Sequence, residues 1–270
     1  MLKDITLGQF FPGFSPVHRL DPRIKLILTV AYVVMLFLAN NLVGLAFGIL
    51  FFLGAYFLAR IPLKMMLKGL KPVLPIILFT SVLNMFFITG DPLFSWWIIT
   101  ITRQGVYTAV IMSIRIVCLI AGTSLLTYTT SPISLTDGLE RLMGPLKKLR
   151  FPVHELAMMM TIALRFIPTL IEETDKIMNA QKARGADMET GSLIDRVKAL
   201  VPVLIPLFIS AFRRADELAL AMECRCYRGG EGRTRMKQLH LGSRDLISCA
   251  VMALFLAGVI LCNLLLPSLL

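Results

Sequence analysis

Apolar residues dominate several stretches of the chain, and their lengths suggest its elements. Leu26 to Ala59 is apolar over nearly its whole length, with Asn40-Asn41 near its middle. A helix needs about 20 apolar residues to cross a bilayer. Two runs slightly under that length, joined by a polar pair, predict a tight helical hairpin with Asn40-Asn41 as its turn. Arg60, Lys64, Lys68 and Lys71 then read as a basic loop, with Pro62 and Pro72 marking helix boundaries. A third span is predicted from Pro72 to Thr89, ended by Gly90-Asp91-Pro92. Leu93 to Gln104 carries Trp96 and Trp97, as in an aromatic belt at a membrane interface. A fourth span covers Gly105 to Tyr128 with Arg115 in its interior, and a fifth runs from Leu246 to Leu266. The fold class expected is an all-α integral membrane protein of about five transmembrane helices with long helices outside them.

Those outside helices lie between Thr129 and Arg244. Ser131-Pro132 followed by Asp137 and Glu140 reads as a helix start. Leu135, Leu139, Leu142, Leu146 and Leu149 then form an amphipathic stripe. Phe151-Pro152 restarts the chain, and a helical pattern continues to about Ala183. Within it, Leu156 to Ile171 is nearly long enough to cross, but Arg165 and Pro168 favour a cytosolic or interfacial helix. Ala199 to Phe212 is an apolar run broken by Pro202 and Pro206, too short to span. Three regions result: residues 1–128, the module 129–244, and a final membrane helix in 245–270.

Charge sharpens this division. The chain is 56% hydrophobic and 17% charged, with a formal net charge of +11. Of its 28 Lys and Arg, 18 lie between Thr129 and Arg244, with 13 of the 17 acidic residues. Such a mixture describes a solvated module with a basic face toward anionic lipid or an acidic partner. No stacking aromatics accompany these arginines, which argues against a nucleic-acid partner. The positive-inside rule places the N-terminus and residues 129–244 in the cytoplasm, leaving only Arg103 outside. Cys118, Cys249 and Cys262 fall in apolar spans, and Cys224 and Cys226 in the basic module, so no disulfide framework is expected. Met1 to Phe14 lacks the apolar core of a cleavable signal.

Two segments of the module, 41 residues apart, share a pattern: Asp175 to Gly185 and Asp216 to Cys226. In each, an Arg (Arg184, Arg225) follows an aliphatic residue by seven positions (Ile177, Leu218) and an Ala by four (Ala180, Ala221). On a helix these positions form one stripe. Gly185 follows the first Arg, and Gly229-Gly230 the second, as helix-ending residues. Either Arg alone would read as a simple helix cap; the repeat argues for two docking tips. A guanidinium at a helix C-terminus suits the dipole there and offers five donors in a rigid fork.

With these motifs the chain resembles the transmembrane T component of energy-coupling factor transporters, over essentially its whole length. Ala183-Arg184-Gly185 is similar to the first Ala-Arg-Gly-type signature of that family, and Arg225 with its flanking Cys224 and Cys226 to the second. Gly8-Gln9-Phe10 and the segment Ser15 to Lys25, containing His18, Asp21, Pro22 and Lys25, are similar to the family's opening segment. The cysteines depart from the family's small residues and raise a question about geometry at that helix end. A metal reading of Cys224 and Cys226, with His240 nearby, is disfavoured because residues two apart on a helix point to different sides.

The resemblance implies a non-catalytic scaffold of an ATP-driven importer of a vitamin or metal ion. Its partners would be two ABC-type ATPase subunits and a small membrane-embedded substrate-binding S component. This chain would bind no cofactor, with ATP and Mg held by the ATPases. The sequence itself has no phosphate-cradling Gly-rich loop ending in Gly-Lys-Ser/Thr. An alternative, a substrate-conducting permease subunit of a conventional importer, draws on Arg115, since intramembrane charges often mark transport routes. A structural role inside the bundle competes with that reading. A membrane enzyme is disfavoured, because His18, His154 and His240 are scattered.

Overall fold

The computed structural model describes residues 10–39, 41–89, 91–96, 99–186, 192–230 and 239–265. Asn40, Gly90, Trp97, Gly8-Gln9 and Leu266, which entered the reading above, lie outside them. The described residues are helical apart from one short hairpin. In chain order the long elements are α1 (Pro22–Leu38), α2 (Leu42–Ala59), α3 (Leu63–Leu70), α4 (Leu74–Phe87), β1 (Pro92–Trp96), β2 (Ile99–Thr102), α5 (Arg103–Thr129), α6 (Pro132–Leu142), α7 (Val153–Ala183), α8 (Leu193–Cys224) and α9 (Ser243–Leu265). Two compact units are distinguished, Gly8–Gly138 with Gln238–Leu270, and Leu139–Lys237.

In the first unit α1 and α2 pack against each other and each against α5 and α9, with α3 and α4 along α5. Its core is built from Met35, Leu36, Leu45, Cys118, Ala121 and Val259, all nearly inaccessible. Close approach depends on glycine at one point. A Cβ at Gly122 would lie 2.2 Å from the Tyr32 ring, so only a glycine lets α1 seat that ring on α5. Leu53, Phe57, Leu78, Phe79 and Leu254 are instead exposed. A belt of apolar side chains facing outward suits lipid rather than water.

Among the described residues five helical runs are long and apolar enough to cross a membrane: Leu42–Ala59, Leu63–Phe87, Arg103–Thr129, Val153–Ala183 and Ser243–Leu265; α1, the first half of the expected hairpin, is not one of them at 17 residues. The chain is therefore an all-helical multi-pass membrane protein, as its apolar pattern leads one to expect. Several details differ from that expectation. The basic loop is helix: Lys64, Lys68 and Lys71 fall on one helical stripe, and α3 continues through a 3-10 turn at Lys71–Val73 into α4. Pro72 sits in that turn and does not end the run. The stretch from Leu93 contains the antiparallel pair β1–β2, paired from Pro92↔Thr102 to Trp96↔Ile99 with a register shift between Pro92 and Phe94. The stripe from Leu135 to Leu149 is interrupted, α6 stopping at Leu142 and a 3-10 segment covering Gly144–Leu149. The apolar part of α7, read as interfacial, meets the length and hydropathy of a span despite Arg165 and Pro168.

In the second unit, α7 and α8 are continuous over 31 and 32 residues, passing through Pro168, Pro202 and Pro206. Proline removes one backbone donor and leaves the carbonyl four residues earlier unpaired. For Pro206 that carbonyl belongs to Pro202, and the Gln181 side-chain amide of α7 donates to it at 3.3 Å. The neighbouring helix thus supplies the bond that the proline cannot.

Candidate functional site

The site begins with how α7 and α8 end. At the end of α7 the Gly185 N–H donates to the Lys182 carbonyl and the Ala186 N–H to the Gln181 carbonyl, both at 3.0 Å. At the end of α8 the Cys226 N–H donates to the Glu223 carbonyl at 2.8 Å and the Tyr227 N–H to the Met222 carbonyl at 3.0 Å. These are the paired bonds of a Schellman motif. Arg184 and Arg225 are the C-caps. The following residue is left-handed in both, Gly185 at φ 87° and Cys226 at φ 55°. The two segments therefore share one geometry, with a cysteine holding the position that glycine holds in the other. Gly229, at φ 86°, comes three residues after Cys226 and lies beyond the paired bonds that end α8.

Both arginines are exposed, and their guanidinium groups make no hydrogen bond or ion pair with any described residue. Ala180 and Ala221 are exposed beside them, while Ile177 and Leu218 are half-buried. Ala183, Cys224 and Cys226 are exposed as well, and both cysteines are free thiols. Each Arg thus stands at the end of an accessible stripe of small and aliphatic residues.

Contacts along α7 and α8 fix where the tips lie. Gln181 reaches Pro202. Further back, Glu173 accepts from Ser210 and pairs with Arg214 at 2.7 Å. Near the start of α7, a Cβ at Gly230 would come within 2.5 Å of the His154 ring. His154 Nδ1 in turn lies 3.1 Å from Glu140 Oε1. The helices are antiparallel, so Arg184 and Arg225 occupy opposite ends of the pair. With Gln181 facing Pro202, about 25 residues of α8 separate the tips, roughly 40 Å at 1.5 Å per residue. Sequence spacing alone does not reveal this opposition.

The opening segment forms a separate polar knot in the first unit. Asp21 is the N-cap of α1, its Oδ1 accepting from the Arg23 N–H at 2.9 Å, with Pro22 at the first helical position. Lys25 Nζ donates to the His18 carbonyl at 3.0 Å and to the Thr129 carbonyl at the end of α5 at 2.8 Å. The Asp21 N–H donates to Asp245 Oδ1 at 2.9 Å, tying α1 to the start of α9. His18 Nε2 lies 2.9 Å from the Phe11 carbonyl and Nδ1 2.7 Å from Ser15 Oγ. A carbonyl only accepts, so Nε2 carries the proton and Nδ1 accepts from the hydroxyl. Burial pushes the imidazole pKa down against the pull of the Phe11 carbonyl, and the Lys25 charge lowers it further. Asp245 and Thr129 escape sequence reading. Asp245 leaves one faint signal, as one of only four acidic residues outside the module.

Arg115 is placed at the far end of α1. Its Nη2 donates to the Ala39 carbonyl at 2.5 Å, and Asn263 Nδ2 of α9 donates to the Leu38 carbonyl at 2.5 Å. Both close the last turn of α1, whose terminal carbonyls have no helical partner. Among the described residues no group of three or more His, Cys, Asp or Glu is arranged to hold a metal ion.

A bundle of long apolar helices, with a second unit carrying two matched arginine-capped helix ends, defines a multi-pass membrane protein. Residues 13–236 match the family described as "Cobalt transport protein" (CbiQ). The chain is 56% identical over 255 residues to the energy-coupling factor transporter transmembrane protein EcfT of Clostridium kluyveri, covering 93% of this chain and 94% of the relative. It is 54% identical over 261 residues to EcfT of Ruminiclostridium cellulolyticum (97% and 98%) and 50% identical over 260 residues to EcfT of Bacillus subtilis (95% and 98%). The chain belongs to this family and is a transmembrane T component of the energy-coupling factor type, a non-catalytic subunit of a transporter.

Proposed function

We propose that this chain couples ATP hydrolysis by two ABC-type ATPase subunits to movement of a small membrane-embedded S component, importing a vitamin or metal ion. The ATPases hold ATP and Mg, and this chain binds no cofactor of its own. The N-terminus and residues 129–244 face the cytoplasm, where the ATPases dock; on this reading α7, although long and apolar enough to cross, lies along the interface with Arg165 and Arg184 on the cytoplasmic side. The observation carrying the reading is the pair of identical helix-end motifs, each capped by an exposed Arg, at opposite ends of one antiparallel helix pair. Two similar ATPase subunits lying side by side would each receive one tip. Closure of the ATPase pair would then act on both ends of the same rigid element. Arg115, engaged in capping α1, favours this scaffold role over a substrate-conducting permease.

A charge-assisted contact contributes about 1.5–3 kcal/mol, so Arg184→Ala or Arg225→Ala should weaken ATPase docking roughly 10- to 100-fold. Lys at either position should be intermediate, since it keeps the charge and loses the planar fork. The double variant Arg184→Glu/Arg225→Glu should lose assembly while still inserting in the membrane. ATPase pull-down scored beside substrate uptake is the test. A double Glu variant that binds ATPases and imports substrate like the wild type would refute the coupling role.

A further inference from the structure

Where α1 and α9 begin and α2 and α5 end, the first unit contains a partly open cavity of about 370 Å³. This volume falls within the roughly 300–1,000 Å³ of small-molecule sites. Its deep part is aromatic: Tyr32 stacks on Phe51 at 5.7 Å between ring centroids, and Phe51 meets Phe255 edge-on at 5.5 Å. The polar side chains of its wall are already engaged within the fold. Thr29 donates to the Lys25 carbonyl, Ser248 to the Asp245 carbonyl and Thr129 to the Leu125 carbonyl, each at 2.8 Å. The Lys25 ammonium is held by the His18 and Thr129 carbonyls. The interior therefore offers little free polar capacity beside its apolar surface to hold a buried water.

The rim differs. Arg244 lines the mouth, is exposed, and makes no hydrogen bond or ion pair with any described residue. Along α9 the lining runs from Arg244 to Phe255, about 16 Å at 1.5 Å per residue. That is close to one leaflet of a hydrocarbon core about 30 Å thick. One wall is widened by Gly54, where an added Cβ would meet nothing within 4 Å.

We propose that this cavity binds one acyl chain of an anionic phospholipid from the leaflet at this end of the bundle, with the headgroup against Arg244. The apolar interior, whose hydroxyl donors are spent within the fold, selects a hydrocarbon chain. The leaflet-deep length sets how far it enters, and the unpaired cation at the mouth selects negative charge.

The test uses the full chain, purified with the subunits that accompany it, in nanodiscs of phosphatidylglycerol and phosphatidylcholine with matched acyl chains. Native mass spectrometry should find a retained lipid with preference for phosphatidylglycerol. Gly54 lines the cavity with open space beside it, and Gly54→Leu adds bulk there while raising helix propensity, so it should remove the retained lipid without loss of folded protein. Arg244→Gln, at an exposed position, should keep the site but cut the preference for phosphatidylglycerol about fivefold, the effect of one cation near an anionic surface. A phosphatidylglycerol with a photoreactive group in mid-chain should label α2 between 50 and 58 or α9 between 247 and 255. Undiminished retention in the folded Gly54→Leu protein would overturn the proposal, as would an unchanged headgroup preference in Arg244→Gln. Crosslinks from these walls to an apolar helix of a partner subunit would also overturn it, by showing that protein fills the cavity.

Discussion

Arg115 shows how one residue decides between two readings of an intramembrane charge. α1 has 17 residues, about 25 Å of helix, and stops short of a hydrocarbon core of roughly 30 Å. Its last carbonyls would therefore face apolar surroundings, where an unpaired polar group costs several kcal/mol. Arg115 and Asn263 reach them from α5 and α9. Arg115→Ala should accordingly lower the unfolding free energy by about 1.5–3 kcal/mol, the usual worth of a hydrogen bond to a charged group. Asn263→Ala should cost less, about 0.6 kcal/mol, as neutral side-chain bonds in membranes do. Thermal or denaturant unfolding in lipid nanodiscs measures both. An Arg115→Ala protein as stable as the wild type, yet unable to support uptake, would return Arg115 to a transport pathway.

At the scale of elements, the α7 and α8 ends make the sharpest claim. The two Schellman motifs place Gly185 and Cys226 in the left-handed region, which costs a residue with a Cβ roughly 1–2 kcal/mol. Gly185→Val should therefore fray the last turn of α7, whereas Cys226→Gly should leave the end of α8 intact or tighter. Amide hydrogen exchange at residues 180–186 and 222–227 reads each end separately. Faster exchange in Cys226→Gly, or none in Gly185→Val, would contradict the shared motif. The helix ends also show what was legible in advance. The Arg184 and Arg225 repeat, the spans of α2, α5 and α9, and the end of α7 were open to view because each rests on local periodicity. The antiparallel pairing, which separates the tips, depends on contacts far apart in sequence, such as Glu173 with Arg214. Continuity through Pro202 and Pro206 was hidden for the same reason, since Gln181 of another helix repairs the ladder. The basic run from Arg60 reads as a loop because four cations between two prolines resemble a solvated connection, whereas the spacing of Lys64, Lys68 and Lys71 fits one helical stripe. His18, Asp21 and Lys25 could be named from the opening motif, but their bonds to Thr129 and Asp245 could not.

At the scale of the whole molecule, the remaining claim is orientation. Lys25 bonds the end of α5 at Thr129, so the N-terminal segment and the end of α5 share one end of the first unit. Arg19, Arg23 and Lys25 lie there in sequence, and Arg244, near the start of α9, lines the same cavity as Lys25. The 27 residues of α5 carry the chain about 40 Å from there to the β1–β2 hairpin. In that connection the Arg103 N–H bonds the Asp91 carbonyl at 2.9 Å, and Arg103 is its only cation. This asymmetry predicts that the cation-rich end is cytoplasmic and the hairpin external. The exposed native thiols of Cys224 and Cys226 are ready reporters for the second unit. In intact cells a membrane-impermeant maleimide should leave them unlabelled, and permeabilisation should expose them. Asp91 is exposed, so Asp91→Cys in a Cys224→Ser/Cys226→Ser background should label from outside without permeabilisation. Labelling of the native pair in intact cells, with Asp91→Cys protected, would invert the orientation and place the arginine tips out of reach of any cytoplasmic ATPase.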